Sequence, residues 1–424
     1  MARAGVKKSQ ATKDKIKASL LATRAKRETQ ICKVYELKIT NNKLNKAQRE
    51  ALSTVFLEAK WFYNYILSQE DVFDFDPKVK NIIKLDKDKN PIPVDLKYLT
   101  SSAKTAVFAK LKQNIVNLSK AKEKGYKVGA LKYKKEVNTV PYPQYGTSHR
   151  KVSDNLYRIQ GIKKPLRVSG LKQIPEEAEF ANIELIRKPS GYYIHQTVWL
   201  PKESRIETGK TVGLDFGIKT HITTSDGDMF NVTVGETERL KRLQRKLSKQ
   251  RKHSNNYNKT RQKLRREYEK MSARKRDKAN KIVSELLAKY DIIAIQDENI
   301  KGWQSGLFGK QVQHGALGLI ISQLKRHEDR VIVVDRYFPS TKLCPKCGKL
   351  NTLSLSDRTY KCSCGYEEDR DIKAAKLIKK VAMERSEVTP VESQKLILDS
   401  VQLADDNKKP GASKQEAVKS PVSR

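Results

Sequence analysis

Long apolar runs are missing from this chain of 424 residues. The longest, residues 316–321, falls far short of the ~20 apolar residues that a membrane-crossing helix needs. Residues 1–30 are rich in Lys and Arg and hold no apolar signal core, so a cytoplasmic protein without membrane contact is expected, nucleoid-associated when bound to DNA. Cysteine is scarce: of five, four lie within 344–364. That usage fits a reducing compartment and leaves Cys32, in an expected strand, as a small buried residue rather than a reactive one. Acidic residues are also in deficit, 48 against 87 Lys and Arg, for a formal charge of +39. Such a chain repels itself unless it meets a polyanion, and counterions released from nucleic acid supply much of the affinity. Nucleic acid is the expected partner. The 38% hydrophobic content suffices for the cores of two or three domains.

What is concentrated is the chemistry of 343–376, LCPKCGKLNTLSLSDRTYKCSCGYEEDRDIKAAK. Cys344 with Cys347, and Cys362 with Cys364, make two short knuckles, because cysteines one or two residues apart point both sulfurs at one ion. Four thiolates leave no open ligand position, so one structural Zn²⁺ is expected. Disulfides or idle thiols are the bland alternative, and no secretory feature accompanies them.

Residues 1–30 read as a basic, helix-prone arm. Residues 31–39 alternate as a half-buried strand. Asn45 offers an N-cap to a helix ending near Ser68, whose apolar face takes in the aromatic cluster of Trp61, Phe62, Tyr63 and Tyr65 as core. Residues 71–100, with Asp-Pro and Pro-Ile-Pro breaks, read as loop, and 101–124 as a helix closed by Gly125. Short strands fill 127–200, with a hairpin about residues 189–191. From Thr211 a strand ends in Asp215, a second strand returns, and Ser225–Gly227 make a turn. An Asp at a strand end is an ordinary turn residue, and it is also how ribonuclease H-like folds hold a metal ligand. Residues 239–281 carry 19 Lys or Arg against 3 Asp or Glu. Two narrow apolar stripes, Leu240, Leu243 and Leu247 and then Leu264, Tyr268 and Met271, flank a break at 253–258, so a helical hairpin is expected. Its surplus charge, with Lys241, Arg242, Arg245 and Lys249 as candidates, makes a nucleic-acid face. Strands at 292–295 and 331–337 flank a helix at 317–325, an α/β order, and 372–380 read as a helix with Asp371 in its first turn.

The motifs GLDFGIKT, QDENIKGW, DRYFPSTKLCPKCG and CSCGYEEDRDIKAA, in that order over 212–378, resemble the TnpB family of transposon-encoded RNA-guided DNA endonucleases and the related miniature type V CRISPR effector nucleases. The resemblance implies a multidomain α+β chain. Its parts would be a basic arm (1–30), a wedge β-barrel (31–205) with a helical recognition insert (about 45–125), and a RuvC, ribonuclease H-like α/β nuclease domain (206–343) with the basic hairpin at 236–290. A four-cysteine zinc ribbon (344–366), a final RuvC segment (367–380) and a disordered tail (381–424) would follow. It implies a guide RNA and a target double-stranded DNA as partners, with one copy or two acting on one guide. The family acids map to Asp215, Glu298 and Asp371. Three converging carboxylates want divalent cations, and two Mg²⁺ ions would serve phosphodiester hydrolysis.

Two positions depart from the family pattern. Gln296 stands where many relatives have glutamate, and Glu298, one strand period on, is expected to present the carboxylate instead, with both side chains on one face. Lys373 stands where asparagine is usual, and Asp369 reads as an N-cap. The leading expectation is an RNA-guided DNA endonuclease. A nuclease-dead RNA-guided repressor, or an RNA-independent zinc-ribbon accessory of transposition, are the alternatives.

Overall fold

The structure, a computed structural model, describes residues 10–86, 88, 90–202, 207–354 and 357–387. The chain divides into two compact units, Met1–Arg205 and Ile206–Arg424. Among the described residues no helix is long and apolar enough to cross a membrane.

In the first unit α1 (Gln10–Glu28) leads into β1 (Gln30–Ile39). Then come α2 (Lys46–Leu67), a hairpin of β2 (Asn81–Leu85) and β3 (Pro91–Asp95), and α3 (Ser101–Glu123). Six strands complete it: β4 (Thr139–Tyr142), β5 (His149–Ser153), β6 (Leu156–Ile159), β7 (Leu166–Ser169), β8 (Glu179–Lys188) and β9 (Gly191–Pro201). Seven of these strands form one antiparallel sheet in the order β4-β8-β9-β1-β7-β6-β5. Its two edges, β4 and β5, follow each other in the chain, and Tyr145 in the short loop between them bridges to His149 at the start of β5, so the edges stay near and the sheet nearly closes on itself. Asn45 and Gln48 start α2 with a reciprocal capping box, 2.8 and 3.0 Å. The helix buries Leu52, Val55, Phe56, Ala59, Phe62 and Ile66. Tyr63 is buried with them, and Trp61 and Tyr65 pack at the margin of the same core.

In the second unit β10 (Thr211–Phe216), β11 (Ile222–Thr224) and β12 (Met229–Phe230) make an antiparallel meander. The basic pair α4 (Glu238–Ser248) and α5 (Asn255–Lys289) precedes β13 (Ile292–Gln296). Three short helices, α6 (Ile300–Ser305), α7 (Gly309–His314) and α8 (Leu317–Leu324), lead to β14 (Val331–Val334). The cysteine ribbon carries β15 (Thr359–Lys361) and β16 (Glu367–Asp369), and α9 (Arg370–Glu387) ends the described chain. β13 pairs in parallel with β10 and with β14, giving the order β12-β11-β10-β13-β14. Both faces of β13 are covered, which is why its sequence is continuously apolar rather than alternating. Ile293 and Ile295 pack with Leu286, Leu317 and Ile320 on one face, and Ala294 packs with Val334, Ile378 and Ala382 on the other.

Several expectations are corrected. Residues 81–95 are a hairpin, not loop, because in a two-stranded ribbon every strand is an edge and Pro91 and Pro93 need not donate to a partner. Cys32 is exposed, because the pleat sets it on the face of Val34, Glu36 and Lys38, opposite the inward Leu37 and Ile39. The helical break falls at 249–254, so residues 255–258 begin α5. β14 stops at Val334, three residues early, where the chain turns back toward Gln296. α9 runs to Glu387, beyond the expected boundary at 380. The rest of the expected tail, 388–424, and the start of the basic arm, 1–9, lie outside the described residues.

Candidate active site and cysteine ribbon

Three separate pieces of chain bring the expected acids into one electrostatic neighbourhood. Asp215 ends the apolar part of β10, Glu298 lies just past β13, and Asp371 sits in the first turn of α9. The approach of α9 to β10 depends on Gly213: a Cβ there would stand 2.0 Å from the Ala375 carbonyl oxygen and 2.7 Å from the Lys379 nitrogen. The absent side chain therefore sets how near Asp371 comes to Asp215. Asp369 Oδ1 accepts from the backbone N–H groups of Asp371 and Ile372, 2.9 and 3.0 Å, and so caps α9.

Burial, then the charge of Asp371, then that of Glu298, push the Asp215 carboxyl well above the usual range, with Arg370 and Lys373 opposing. Burial, followed by the charge of Asp297, raises Glu298 to about 7. Among the described residues neither side chain has a hydrogen-bond partner. Asp371 lies 3.4 Å from both the Arg358 and the Arg370 guanidinium. The charges of Asp371 and Glu298 bear on Asp215, but the three carboxylates do not close to the 4.8 Å mutual spacing that the cysteines reach.

The two departures from the family pattern, Gln296 and Lys373, are both engaged by backbone carbonyls. β13 ends at Gln296, so Glu298 lies beyond the ladder and its direction is set by the following coil, not by the pleat. Gln296 does not share its task. Its Nε2 donates to the carbonyls of Asp335, Arg336 and Phe338, and its Oε1 accepts from Ser340. Asp297 is held between Lys325 at 2.6 Å and Arg336 at 2.5 Å, and the Lys325 contact above all keeps its carboxyl below the usual range. Of the three polar residues in the QDE run, Glu298 is thus the one with an unengaged carboxylate. Burial lowers the Lys373 ammonium to about 8. No sequence signal pointed to the Gln296 contacts or to Arg358 beside Asp371, since both arise between segments distant in the chain.

The four cysteine sulfurs lie within 4.8 Å of one another. Cys344 is 3.7 Å from Cys364 and Cys347 is 3.6 Å from Cys362. A tetrahedron with metal–sulfur bonds of ~2.3 Å has edges of about 3.8 Å, and a disulfide is about 2.05 Å long. The donor set therefore fits zinc and excludes bridges. Backbone N–H from Cys364, then the Asn351 amide, draw the Cys362 thiol down to about 6, toward the thiolate that a metal needs.

On the basic pair, Leu240, Leu264 and Met271 are buried with Leu243 and Leu247 beside them, a thin apolar seam. Lys241, Arg242, Arg245 and Lys249 are exposed, and Lys241 is paired with Glu238 at 2.8 Å. Tyr268, expected on the stripe, is exposed and accepts from Gln244 at 2.7 Å.

A family model described as "Probable transposase" matches residues 194–304, and one described as "Cas12f1-like, TNB domain" matches residues 317–378. A "Putative RNA-guided DNA endonuclease" of Streptomyces pristinaespiralis is 29% identical over 228 residues, 51% of this chain and 56% of that relative. The "Putative RNA-guided DNA endonuclease InsQ" of Escherichia coli K12 is 29% identical over 142 residues, 32% of this chain and 34% of that relative. The matches thus span about half or less of the relatives' length. A cryo-EM structure of a Cas12f1–sgRNA–target DNA complex aligns over 66% of this chain and 71% of its own at 15% identity and a TM-score of 0.42, too slight a likeness to carry an argument.

Proposed function

We infer, because this chain belongs to a TnpB-like family, that it is an RNA-guided DNA endonuclease whose RuvC-like centre is Asp215, Glu298 and Asp371. The observation that carries the reading is Asp215: a carboxyl at the end of a buried strand, raised by burial and then by two like-charged neighbours, and left without a hydrogen-bond partner among the described residues. Such a group is neutral when it holds a proton and is completed by a cation when it does not. The donor set is all carboxylate oxygen, which suits hard divalent ions such as Mg²⁺ and not the softer metal of the cysteines. When bound, Mg²⁺ lowers the pKa of water and offsets charge on a phosphodiester undergoing hydrolysis.

The chain's own residues do the rest. Asp215, Glu298 and Asp371 hold the ions, and Gly213 lets the helix bearing Asp371 lie against the strand bearing Asp215. Arg358 and Arg370 place positive charge beside Asp371, where a phosphate backbone arrives. Lys241, Arg242, Arg245 and Lys249 attract nucleic acid without reading its sequence, which in this reading is left to base pairing by a guide RNA. The near-closed sheet, with the helices and hairpin inserted between β1 and β4, is the wedge and recognition region, and the ribbon is a structural zinc module.

The test is cleavage of a guide-matched target by protein purified with its RNA. Asp215→Ala, Glu298→Gln and Asp371→Ala should each lower the rate by at least about a thousandfold while target binding stays within a few fold, since the acids act on the reacting phosphate and recognition lies elsewhere. Gln296→Ala retains all three carboxylates and should lower the rate far less than the loss of any one of them. An unmodified protein that binds guide and target but cuts with no divalent ion is a repressor; one that carries no RNA is an accessory factor.

A further inference from the structure

Between the acids and the cysteines lies a connected set of buried polar groups that the chemistry above does not use. Gln296, 5% exposed, donates from Nε2 to the carbonyls of Asp335 (3.1 Å), Arg336 (3.1 Å) and Phe338 (2.8 Å) and accepts at Oε1 from Ser340 Oγ (2.8 Å). Lys373, fully buried in the first turn of α9, donates from Nζ to the carbonyls of Ser340 (2.9 Å), Thr341 (2.6 Å) and Leu343 (3.1 Å). Its ammonium also lies 4.0 Å from the Tyr360 ring centre, and the Tyr360 hydroxyl donates to the Lys342 carbonyl at 3.2 Å.

An ammonium has three protons and no acceptor, and three carbonyls use all of them. Residues 335–343 are therefore fastened from two directions, from the sheet by Gln296 and from the last helix by Lys373. Ser340 touches both, by its hydroxyl and by its carbonyl. The next residue is Cys344, and Asp371 is two residues before Lys373.

We propose that Gln296 and Lys373 are a coupled pair of positioning residues that fix segment 335–343 and so hold the cysteine quartet in register with the acid cluster. The pair itself follows from the contacts alone; only its bearing on the acids rests on the nuclease reading. One consequence runs against intuition. Replacing Gln296 by the glutamate that many relatives carry would not repair a metal centre, because a carboxylate would face three carbonyl oxygens with no proton to give. It would release the segment.

The test uses the full-length, zinc-loaded protein and follows zinc transfer to a chromophoric chelator, with and without Mn²⁺. Mn²⁺ prefers carboxylate to thiolate sites and so reports on the acids without displacing zinc. Gln296→Glu and Lys373→Met should each speed transfer by about tenfold or more, the usual effect of removing an outer hydrogen bond that supports a metal site. The double variant should add little, because both changes free the same segment. Ser340→Ala, which buries no charge and removes only the linking hydroxyl, should shift the rate in the same direction by less. Mn²⁺ should slow transfer in the unaltered protein, and Lys373→Met should abolish that protection while Mn²⁺ still binds, a change that loosening of the ribbon alone does not produce. Singles whose effects multiply in the double, or Gln296→Glu with unaltered transfer, would overturn the pair. Protection by Mn²⁺ that persists in Lys373→Met would overturn the register with the acids. A protein that binds no Mn²⁺ but shows the non-additive zinc rates sinks the nuclease centre and leaves the pair standing.

Discussion

The two units treat an inward-lying carboxylate, buried in the first and half-buried in the second, in opposite ways. In the first, Glu58 on α2 is 2% exposed and accepts from the backbone N–H groups of Lys97, Tyr98 and Leu99 at 2.9, 2.8 and 2.6 Å. In the second, Asp215 has neighbours of its own sign and, among the described residues, no donor. Elsewhere in the first unit Tyr157 gives its single proton to Gln196 and His149 donates from Nδ1 to the Tyr157 oxygen at 2.8 Å, although the buried His149 Nε2 has no partner among the described residues. In the second unit Asp215 and Glu298 have no hydrogen-bond partner among the described residues, whereas Asp371 lies beside two guanidinium groups. A carboxylate completed by its own fold contributes to stability, whereas one left incomplete is, under the proposed function, held ready for an ion from outside.

The widest gap between the units should open on loss of metal. Cys344→Ser should leave the purified protein without stoichiometric zinc and unfold the ribbon to proteases, since structural zinc binds model peptides with about 10–16 kcal/mol; zinc retained at one per chain, by atomic absorption, would break the contrast. Glu58→Ala should cost about 3 kcal/mol in urea unfolding, about 1 kcal/mol for each N–H left unpaired. Asp215→Asn, measured in chelator, should cost nothing or stabilise, because it removes like-charge repulsion. Equal losses in the two variants would erase the distinction.

Acid should act through His149. Burial lowers its imidazole to about 4 from an ordinary 6.5, so between those values the folded state holds fewer protons than the unfolded chain. Stability is therefore fully present above pH 6.5 and falls as pH drops toward 4, by at most about 3 kcal/mol. His149→Phe should flatten that part of the stability profile of the first unit.

Gly213→Ala should cost about 1–3 kcal/mol and lower cleavage, because the added methyl meets backbone rather than a yielding side chain. Unchanged stability and cleavage would mean that α9 does not need its close seat on β10. The smallest effects belong to single exposed cations. Arg245→Ala should reduce the log–log salt slope of nucleic-acid binding by about 0.9 for each phosphate it no longer neutralises. Lys241→Ala should reduce it less, because Glu238 already neutralises part of that charge.

The sequence by itself determined whatever depends on neighbours in the chain. Knuckle spacing placed four sulfurs in reach of one another, Asn45 and Gln48 set the start of α2, and the unbroken apolar run before Gln296 marked a strand covered on both faces. It misread the 81–95 hairpin, because proline breaks a central strand but not an edge. β13 ends at Gln296, so periodicity alone does not fix the direction of Glu298 two residues on. Only the tertiary structure decided which acid of the QDE run stays unengaged, that Gln296 and Lys373 fasten one segment from two sides, and that Asp215 is raised by charges 83 and 156 residues away in the chain. Periodicity and spacing record geometry over a few residues. The state of a buried charge is set by every dipole and charge folded around it, and those come from the whole chain.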